Sequence, residues 1–287
     1  VTRWLVTGSG GMLGRDVHTL LADEQVTALD RAALDITDPE AVRTAVAGHD
    51  VVVNCAAWTD VGGAETAEAA ATAVNGTGVR HLALACRENG ARLLHVSTDY
   101  VLPGDSTEPY PESAPTGPVN AYGRSKLAGE RAVAEALPDT GYIVRTAWLY
   151  GEHGRNFVAT MLGLASRRNT VEVVNDQHGQ PTWTHDLAGL LIALGRADQA
   201  PPGVYHATAT GRTTWYGLAH AAYELSGLDP ERVRPTTSAA FPGTARRPAC
   251  SVLGHARWAG AGLPELPDWR ASLAKALHRP SFSALVR

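Results

Sequence analysis

Tyr122-Gly123-Arg124-Ser125-Lys126 places a phenol and an amine four residues apart, a spacing that puts both side chains on one face of a helix. A free tyrosine ionises at about pH 10, so alone it is a poor acid-base group at neutral pH. A neighbouring ammonium favours the phenolate and lowers that value, and the same amine can hydrogen-bond a cofactor ribose. Lys126 is one of two lysines in the chain, Lys275 being the other. Ser97-Thr98-Asp99 lies upstream at the end of an apolar run, where a hydroxyl could reach the same substrate carbonyl. A loop with Pro109, Pro111, Pro115 and Pro118 joins the two segments.

Thr7-Gly8-Ser9-Gly10-Gly11-Met12-Leu13-Gly14 is a second chemical signal, with Gly8, Gly11 and Gly14 three residues apart. Such a loop between a strand and a helix turns sharply, admits a pyrophosphate to the backbone, and aims helix N–H groups at it. Gly8, Gly11, Met12, Leu13 and Gly14 are therefore expected against a dinucleotide. Asp30 ends the next apolar run, where a carboxylate accepts hydrogen bonds from an adenosine ribose and favours NADH. Arg31 follows at once and could pair with a 2′-phosphate, which favours NADPH. The preference between the two cofactors stays open. Asp35 is expected near the adenine.

The elements that must hold these residues alternate along residues 1–150. Apolar runs at Trp4–Thr7, Val26–Leu29, Val51–Asn54, Leu93–Ser97 and Tyr142–Arg145 read as strands. Amphipathic stretches at Met12–Ala22, Ala67–Asn89 and Tyr122–Leu137 read as helices, and Asp38-Pro39-Glu40 opens another. This order predicts an α/β, doubly wound parallel sheet of Rossmann type. Residues 1–150 are expected to form the dinucleotide-binding domain. Prolines break the pattern after Gly151, so residues 151–287 are expected to be mainly a smaller substrate-binding lobe. Elements near 185–209 and the C-terminal helix are expected to return to the Rossmann domain.

Composition narrows the function. In 287 residues, 25 Lys and Arg face 29 Asp and Glu, a net charge of −4, so no nucleic-acid partner is expected. Hydrophobic residues at 44% and charged residues at 19% exclude a largely disordered chain. Cys55, Cys86 and Cys250 lack the spacing of a disulfide framework or zinc site. No apolar run reaches the roughly 18–20 residues that span a bilayer. The short apolar segment before the glycine loop does not read as a signal peptide. A cytoplasmic protein without a membrane partner is expected.

Taken together, the glycine loop, Ser97-Thr98-Asp99-Tyr100-Val101, Tyr122-x-x-x-Lys126 and Gly129-Glu130 resemble the extended short-chain dehydrogenase/reductase superfamily. Ser97 to Gly104, Arg145-Thr146-Ala147-Trp148-Leu149-Tyr150 and Asn156-Phe157 with Thr160-Met161 bring the resemblance closer to one branch. So do Asp176-Gln177-His178-Gly179-Gln180-Pro181-Thr182, Arg212-Thr213-Thr214-Trp215 and Arg247-Pro248-Ala249-Cys250-Ser251-Val252-Leu253. That branch is the dTDP-4-dehydrorhamnose reductase family. The resemblance implies NADPH- or NADH-dependent reduction of the C4 ketone of a dTDP-linked 4-keto-6-deoxyhexose, in dTDP-L-rhamnose or antibiotic deoxysugar biosynthesis. It implies that Tyr122 protonates the developing alkoxide, Lys126 orients the ribose and tunes Tyr122, and Thr98 hydrogen-bonds the ketone oxygen. Asp99, Tyr100, Trp148, Asn156 and Arg247 become candidate sugar-nucleotide contacts. Arg247 is the candidate diphosphate clamp, because a guanidinium forks onto phosphate oxygens.

The chain departs from the family pattern in Ala56-Ala57-Trp58-Thr59-Asp60-Val61-Gly62-Gly63-Ala64-Glu65. Ala56 and Ala57 keep the expected cofactor contact, but Gly62 replaces an acidic residue, and Leu102 replaces an aromatic one. Both changes are expected near the sugar pocket. Some members dimerise around a magnesium ion. Asp16 matches one such position, but Leu273–His278 carries no acidic residue, so no metal site is expected and a homodimer is left open. The alternative to an enzyme is a non-catalytic binding subunit, as in the β subunit of methionine adenosyltransferase. The intact Thr98, Tyr122 and Lys126 set favours the enzyme.

Overall fold

The computed structural model describes residues 1–241 and 243–286. Six parallel strands form the central sheet: β1 (Arg3–Thr7), β2 (Gln25–Leu29), β3 (Val51–Asn54), β4 (Arg92–Thr98), β5 (Gly141–Thr146) and β6 (Gly203–His206). Their order is β6-β5-β4-β3-β1-β2. The chain winds one way from β1 to β2 and the other way from β3 onward, so a crevice opens above the carboxyl ends of β1 and β3.

Alternation along the strands feeds two cores. Trp4, Val6, Val51 and Val53 face α1 (Met12–Leu20) and α5 (Thr184–Arg196), where they meet Val17, Leu187 and Leu191. Leu5 and Val52 point the other way, into a core shared with α2 (Pro39–Val46), α3 (Val79–Asn89) and α4 (Ala121–Ala136). With both faces covered, the continuous Val51-Val52-Val53 run is buried throughout. The stretch read as one helix from Ala67 differs in detail: Glu68–Thr72 and α3 flank a π-helical turn at Ala73–Gly78. Within that turn the Asn75 side chain bonds both backbone groups of Trp58 and the hydroxyl of Ser125 on α4. These bonds anchor the turn between Trp58 and α4.

The third core belongs to the second lobe and gathers Tyr150, Val158, Leu162, Trp183 and Leu218. The elements near 185–209 lie with the sheet, where α5 packs on α1 and β6 pairs with β5. The helix Trp269–Leu277 meets α5, where the Ser272 hydroxyl donates to Asp186 Oδ2 (2.5 Å). Its apolar face of Leu273, Ala276 and Leu277 is buried in the second lobe's core. Among the described residues, no helix is long and apolar enough to cross a membrane.

Candidate active site

Two cavities of about 670 and 590 Å³ share Gly11, Cys55 and Ala57, forming one cleft along the carboxyl ends of the strands. Gly8, Gly11, Asp30, Arg31, Asp35, Ala56 and Ala57 line the first. Met12, Leu13 and Gly14 line the second, with Thr98, Asp99, Tyr100, Tyr122, Lys126, Trp148 and Arg247. Of the residues expected at the site, only Asn156 is absent from both walls. Its side chain serves the fold instead. The carbonyl caps the helix Phe157–Ala165 through Ala159 N (2.9 Å), and the amide donates to Gly151 O (2.9 Å). An Asn with both ends so engaged is an N-cap, which explains the Asn-Phe pairing without a ligand.

The glycine loop has the bareness a dinucleotide needs. Gly8 has φ +68°, and a Cβ there would stand 2.5 Å from the backbone nitrogen of Ala56. A Cβ on Gly14 would overlap the carbonyl oxygen of Gly8. Side chains are thus excluded where a pyrophosphate would approach the N-terminus of α1. Asp30 Oδ1 accepts the N–H groups of Ala32 and Ala33 (2.9 and 3.0 Å), which holds the turn after β2. Its carboxylate stays exposed beside the likewise exposed Arg31, so hydroxyl and phosphate recognition are both available. The residues fit NADH and NADPH alike.

Tyr122 and Lys126 lie in the first turns of α4. Asn120 caps this helix by accepting Gly123 N (2.8 Å), and Glu65 accepts Ala121 N (2.8 Å). The expected contact between the amine and the phenol is replaced by another. Lys126 Nζ donates to the carbonyl of Val96 on β4 at 2.7 Å. Burial pushes this amine down to about 8, against the pull of Glu130 and Cys55. Burial is also the largest influence on Tyr122. It raises the phenol above its ordinary value, the Asp99 carboxylate adds to the rise, and a hydrogen bond with Thr98 opposes it. The lowering expected from the neighbouring ammonium is therefore not what the structure shows: burial dominates, and the Lys126 amine is turned to the Val96 carbonyl instead. A raised value keeps the proton on Tyr122 at neutral pH, which suits a proton donor.

Behind Lys126, Glu130 sits one turn further along α4. It forks onto Arg145 of β5 (2.9 and 2.7 Å) and accepts the Ser97 hydroxyl of β4 (2.6 Å). This buried pair clamps α4 to the sheet. Thr98 lines the cleft, and its Oγ1 donates to Asp99 Oδ1 at 3.0 Å. Both oxygens of Asp99 are engaged, the second by the Ser251 hydroxyl, so Asp99 is a buried support and not a free sugar contact. Arg247 is exposed and reaches the hydroxyl of Tyr100 at 3.3 Å.

Several residues of the cleft escaped the sequence reading. Trp215 stacks on Trp148 with centroids 3.7 Å apart and planes 8° from parallel. Trp148 has φ +48°, unusual for a bulky residue and a form of strain that collects at binding sites. Arg155, exposed, joins Arg247 on the cleft wall. Nothing local in Arg155 marks it, whereas Trp215 stood in a recognisable motif without an assigned role. The departures at Gly62 and Leu102 both lie outside the cleft lining. The Gly62 carbonyl accepts the Thr244 hydroxyl at 3.4 Å, and Leu102 packs with Tyr110, Leu127 and Leu253.

A parallel doubly wound sheet, a bare glycine loop under a helix N-terminus, and a Tyr–Lys pair on the wall of the same cleft define an NAD(P)H-dependent oxidoreductase of the short-chain dehydrogenase/reductase class. The family model described as RmlD substrate binding domain matches residues 2–281. The chain is 60% identical over 290 residues to the dTDP-4-dehydrorhamnose reductase of Streptomyces griseus, covering 99% of this chain and 94% of the relative. It is 53% identical over 278 residues to the dTDP-4-keto-6-deoxy-D-glucose reductase of Streptomyces niveus, covering 96% of each. The crystal structure of dTDP-4-dehydrorhamnose reductase from Bacillus anthracis in complex with NADP superposes with a TM-score of 0.91 at 33% identity, covering 96% of this chain and 98% of that one. The chain belongs to the dTDP-4-dehydrorhamnose reductase family.

Proposed function

We propose that this protein reduces the C4 ketone of a dTDP-linked 4-keto-6-deoxyhexose, using NADPH or NADH. The observation that carries the proposal is the single cleft that joins the glycine loop to Tyr122, Lys126, Trp148 and Arg247. Residues 1–150 supply its dinucleotide-binding end, and residues 151–287 mainly its sugar-nucleotide end. A reduced nicotinamide bound in the cleft supplies a hydride to the ketone carbon. Tyr122 holds its proton until negative charge grows on the ketone oxygen and then donates it there. Lys126, held by the Val96 carbonyl, presents a buried positive charge beneath the cleft that favours ribose hydroxyls and the developing phenolate. Trp148 and Trp215 form a flat apolar wall for the sugar or base, and Arg247 forks onto the diphosphate. Loss of NADPH absorbance on adding a panel of dTDP-4-keto sugars, with NMR identification of the alcohol, tests the proposal. Tight binding of every sugar nucleotide without turnover would overturn it in favour of a binding subunit. The relatives' two sugar names make product stereochemistry the informative readout, and the reaction is placed in the cytoplasm, where such cofactors are regenerated.

A further inference from the structure

Among the described residues, the second cavity is lined by the cations Lys126, Arg155 and Arg247 and by one carboxylate, Asp99, whose oxygens are both engaged. A reduced dinucleotide and a sugar nucleotide together bring two diphosphates into this cleft. Lys126 is tied to the Val96 carbonyl, which leaves two guanidinium groups for two diphosphates. They arrive by different routes. Arg247 lies on a strap, residues 247–253, laid against the segment after β4 by backbone bonds from Cys250 N to Gly104 O (2.9 Å) and from Tyr110 N to Val252 O (2.8 Å). Arg155 lies on a bracket, residues 151–156, laid against α1. A Cβ on Gly151 would stand 3.2 Å from the Met12 side chain and overlap the Thr184 hydroxyl, which itself donates to Asp16 of α1. His153 Nε2 lies 3.8 Å from Asp16 Oδ1. The Asn156 amide closes the bracket by donating to Gly151 O (2.9 Å).

Given the cofactor and substrate proposed above, we infer that Arg155 is a cofactor-binding residue: a guanidinium from the second lobe that covers the open side of the NADPH or NADH pyrophosphate, across from the N-terminus of α1. That N-terminus has no side-chain cap and no acidic residue in its first turn, and Gly11, Met12, Leu13 and Gly14 line the same cavity as Arg155. The aligned peptides of α1 supply roughly half an elementary charge, too little to balance a pyrophosphate dianion, and their N–H groups point along the helix axis and so meet it from one side. Arg15 does not supply the rest: its Nε donates to Gly10 O (3.1 Å), and it lines neither cavity. Arg31 stands in the first cavity, beside Asp30 at the adenosine end. Glu152, the acid of the bracket, faces Arg279 at 3.5 Å, and among the described residues the exposed Arg155 side chain has no hydrogen-bond or ion-pair partner. A guanidinium forks onto phosphate oxygens. The bracket is tied to Met12 and Asp16 of α1, so its guanidinium serves the cofactor, whereas Arg247, beside Tyr100, serves the sugar nucleotide.

The test needs no turnover. NADPH and NADH are titrated separately into the full chain, followed by their fluorescence, with no sugar present. Arg155→Ala raises both dissociation constants about tenfold and by the same factor, because the two cofactors share one pyrophosphate. This separates Arg155 from Arg31, whose loss falls on NADPH. Arg155→Lys recovers only part, since an ammonium cannot fork. Calorimetry with fragments locates the contact: ADP, which keeps both phosphates, weakens about tenfold in Arg155→Ala, while AMP and dTDP each stay within about twofold. Unchanged NADPH affinity in a folded Arg155→Ala protein overturns the inference. So does a loss of dTDP affinity as large as that of NADPH, which assigns Arg155 to the sugar diphosphate beside Arg247. An equal loss for AMP and ADP also overturns it, because the damage would then lie in the adenosine end. A wild-type protein that binds NADPH yet reduces no dTDP-4-keto sugar sinks the proposed function and leaves the cofactor titrations to decide the role of Arg155.

Discussion

At the cofactor end of the cleft the walls are backbone, with Gly8, Gly11 and Gly14 leaving the chain bare between β1 and α1. At the sugar end the walls are side chains from separate segments: Thr98, Tyr122, Trp148, Trp215 and Arg247. The first end is a local object. Its shape follows from a strand, a turn and a helix contiguous in sequence, and it persists as long as nothing larger than hydrogen occupies the glycine positions. The second end needs distant segments brought together, because Arg247 reaches it on a strap, residues 247–253, held by backbone bonds from Cys250 N to Gly104 O and from Tyr110 N to Val252 O. Damage to the first should therefore appear in cofactor affinity, and damage to the second in sugar affinity and turnover.

The sharpest separation of the two is expected for Tyr122→Phe, which keeps the ring and removes the proton. kcat should fall about 10²–10⁴-fold, the usual range for a lost general acid, while NADPH affinity by fluorescence titration hardly changes. Unchanged turnover in conditions where the chemical step limits the rate would remove Tyr122 from the mechanism.

Gly14→Ala attacks the other end. The new methyl overlaps the Gly8 carbonyl, so the loop must open. NADPH affinity is expected to drop on the order of a hundredfold, the effect of a displacement of about 1 Å at a positioning contact. Retained affinity in a folded protein would show that the loop has more slack than its geometry allows.

Arg247→Ala is expected to raise the sugar-nucleotide KM roughly tenfold or more, with a smaller fall in kcat. Arg247→Lys should recover only part, because an ammonium cannot fork. NADPH affinity measured without sugar is the control. An equal loss there would mean that the strap supports the cofactor end as well, and the division between the two ends would be wrong.

The pH profile probes their shared floor. Lys126 is charged below its value of about 8 and neutral above it. kcat/KM should therefore be fully present below that pH and decline about tenfold per unit once pH rises well past it. A profile flat through pH 9 would show that the charge of Lys126 is not required.

The smallest effect is expected at the rim, where Arg31 is exposed. Arg31→Ala should weaken NADPH several-fold and leave NADH nearly unchanged, since solvent screens an exposed charge and only NADPH carries the 2′-phosphate. Equal weakening of both would mean that Arg31 does not read that group.

Much of the cofactor end could be read before folding was considered. Glycine spacing, strand runs such as Val51–Val53 and the Tyr122–Lys126 interval are short-range patterns, and hydrogen bonding within one segment enforces them. The same locality explains why the helix cap at Asn156 was not read from its motif: in a linear sequence, an Asn that caps a helix and one that binds a ligand look alike. The direction of the Lys126 amine, taken by Val96 O, and the raised Tyr122 phenol were beyond a sequence reading, because both depend on burial by distant segments.

Residues within a few turns of one another specify the doubly wound sheet, the glycine loop and the placing of Tyr122 and Lys126 on one helix. Tertiary structure alone decided the docking of Trp269–Leu277 in the second lobe, the stacking of Trp148 on Trp215, and the grip of Ser251 on Asp99. Those partners lie far apart along the chain. Only the burial of both lobes' apolar faces brings them within hydrogen-bonding and van der Waals distance, and there an unpaired polar group would cost too much to leave unmet.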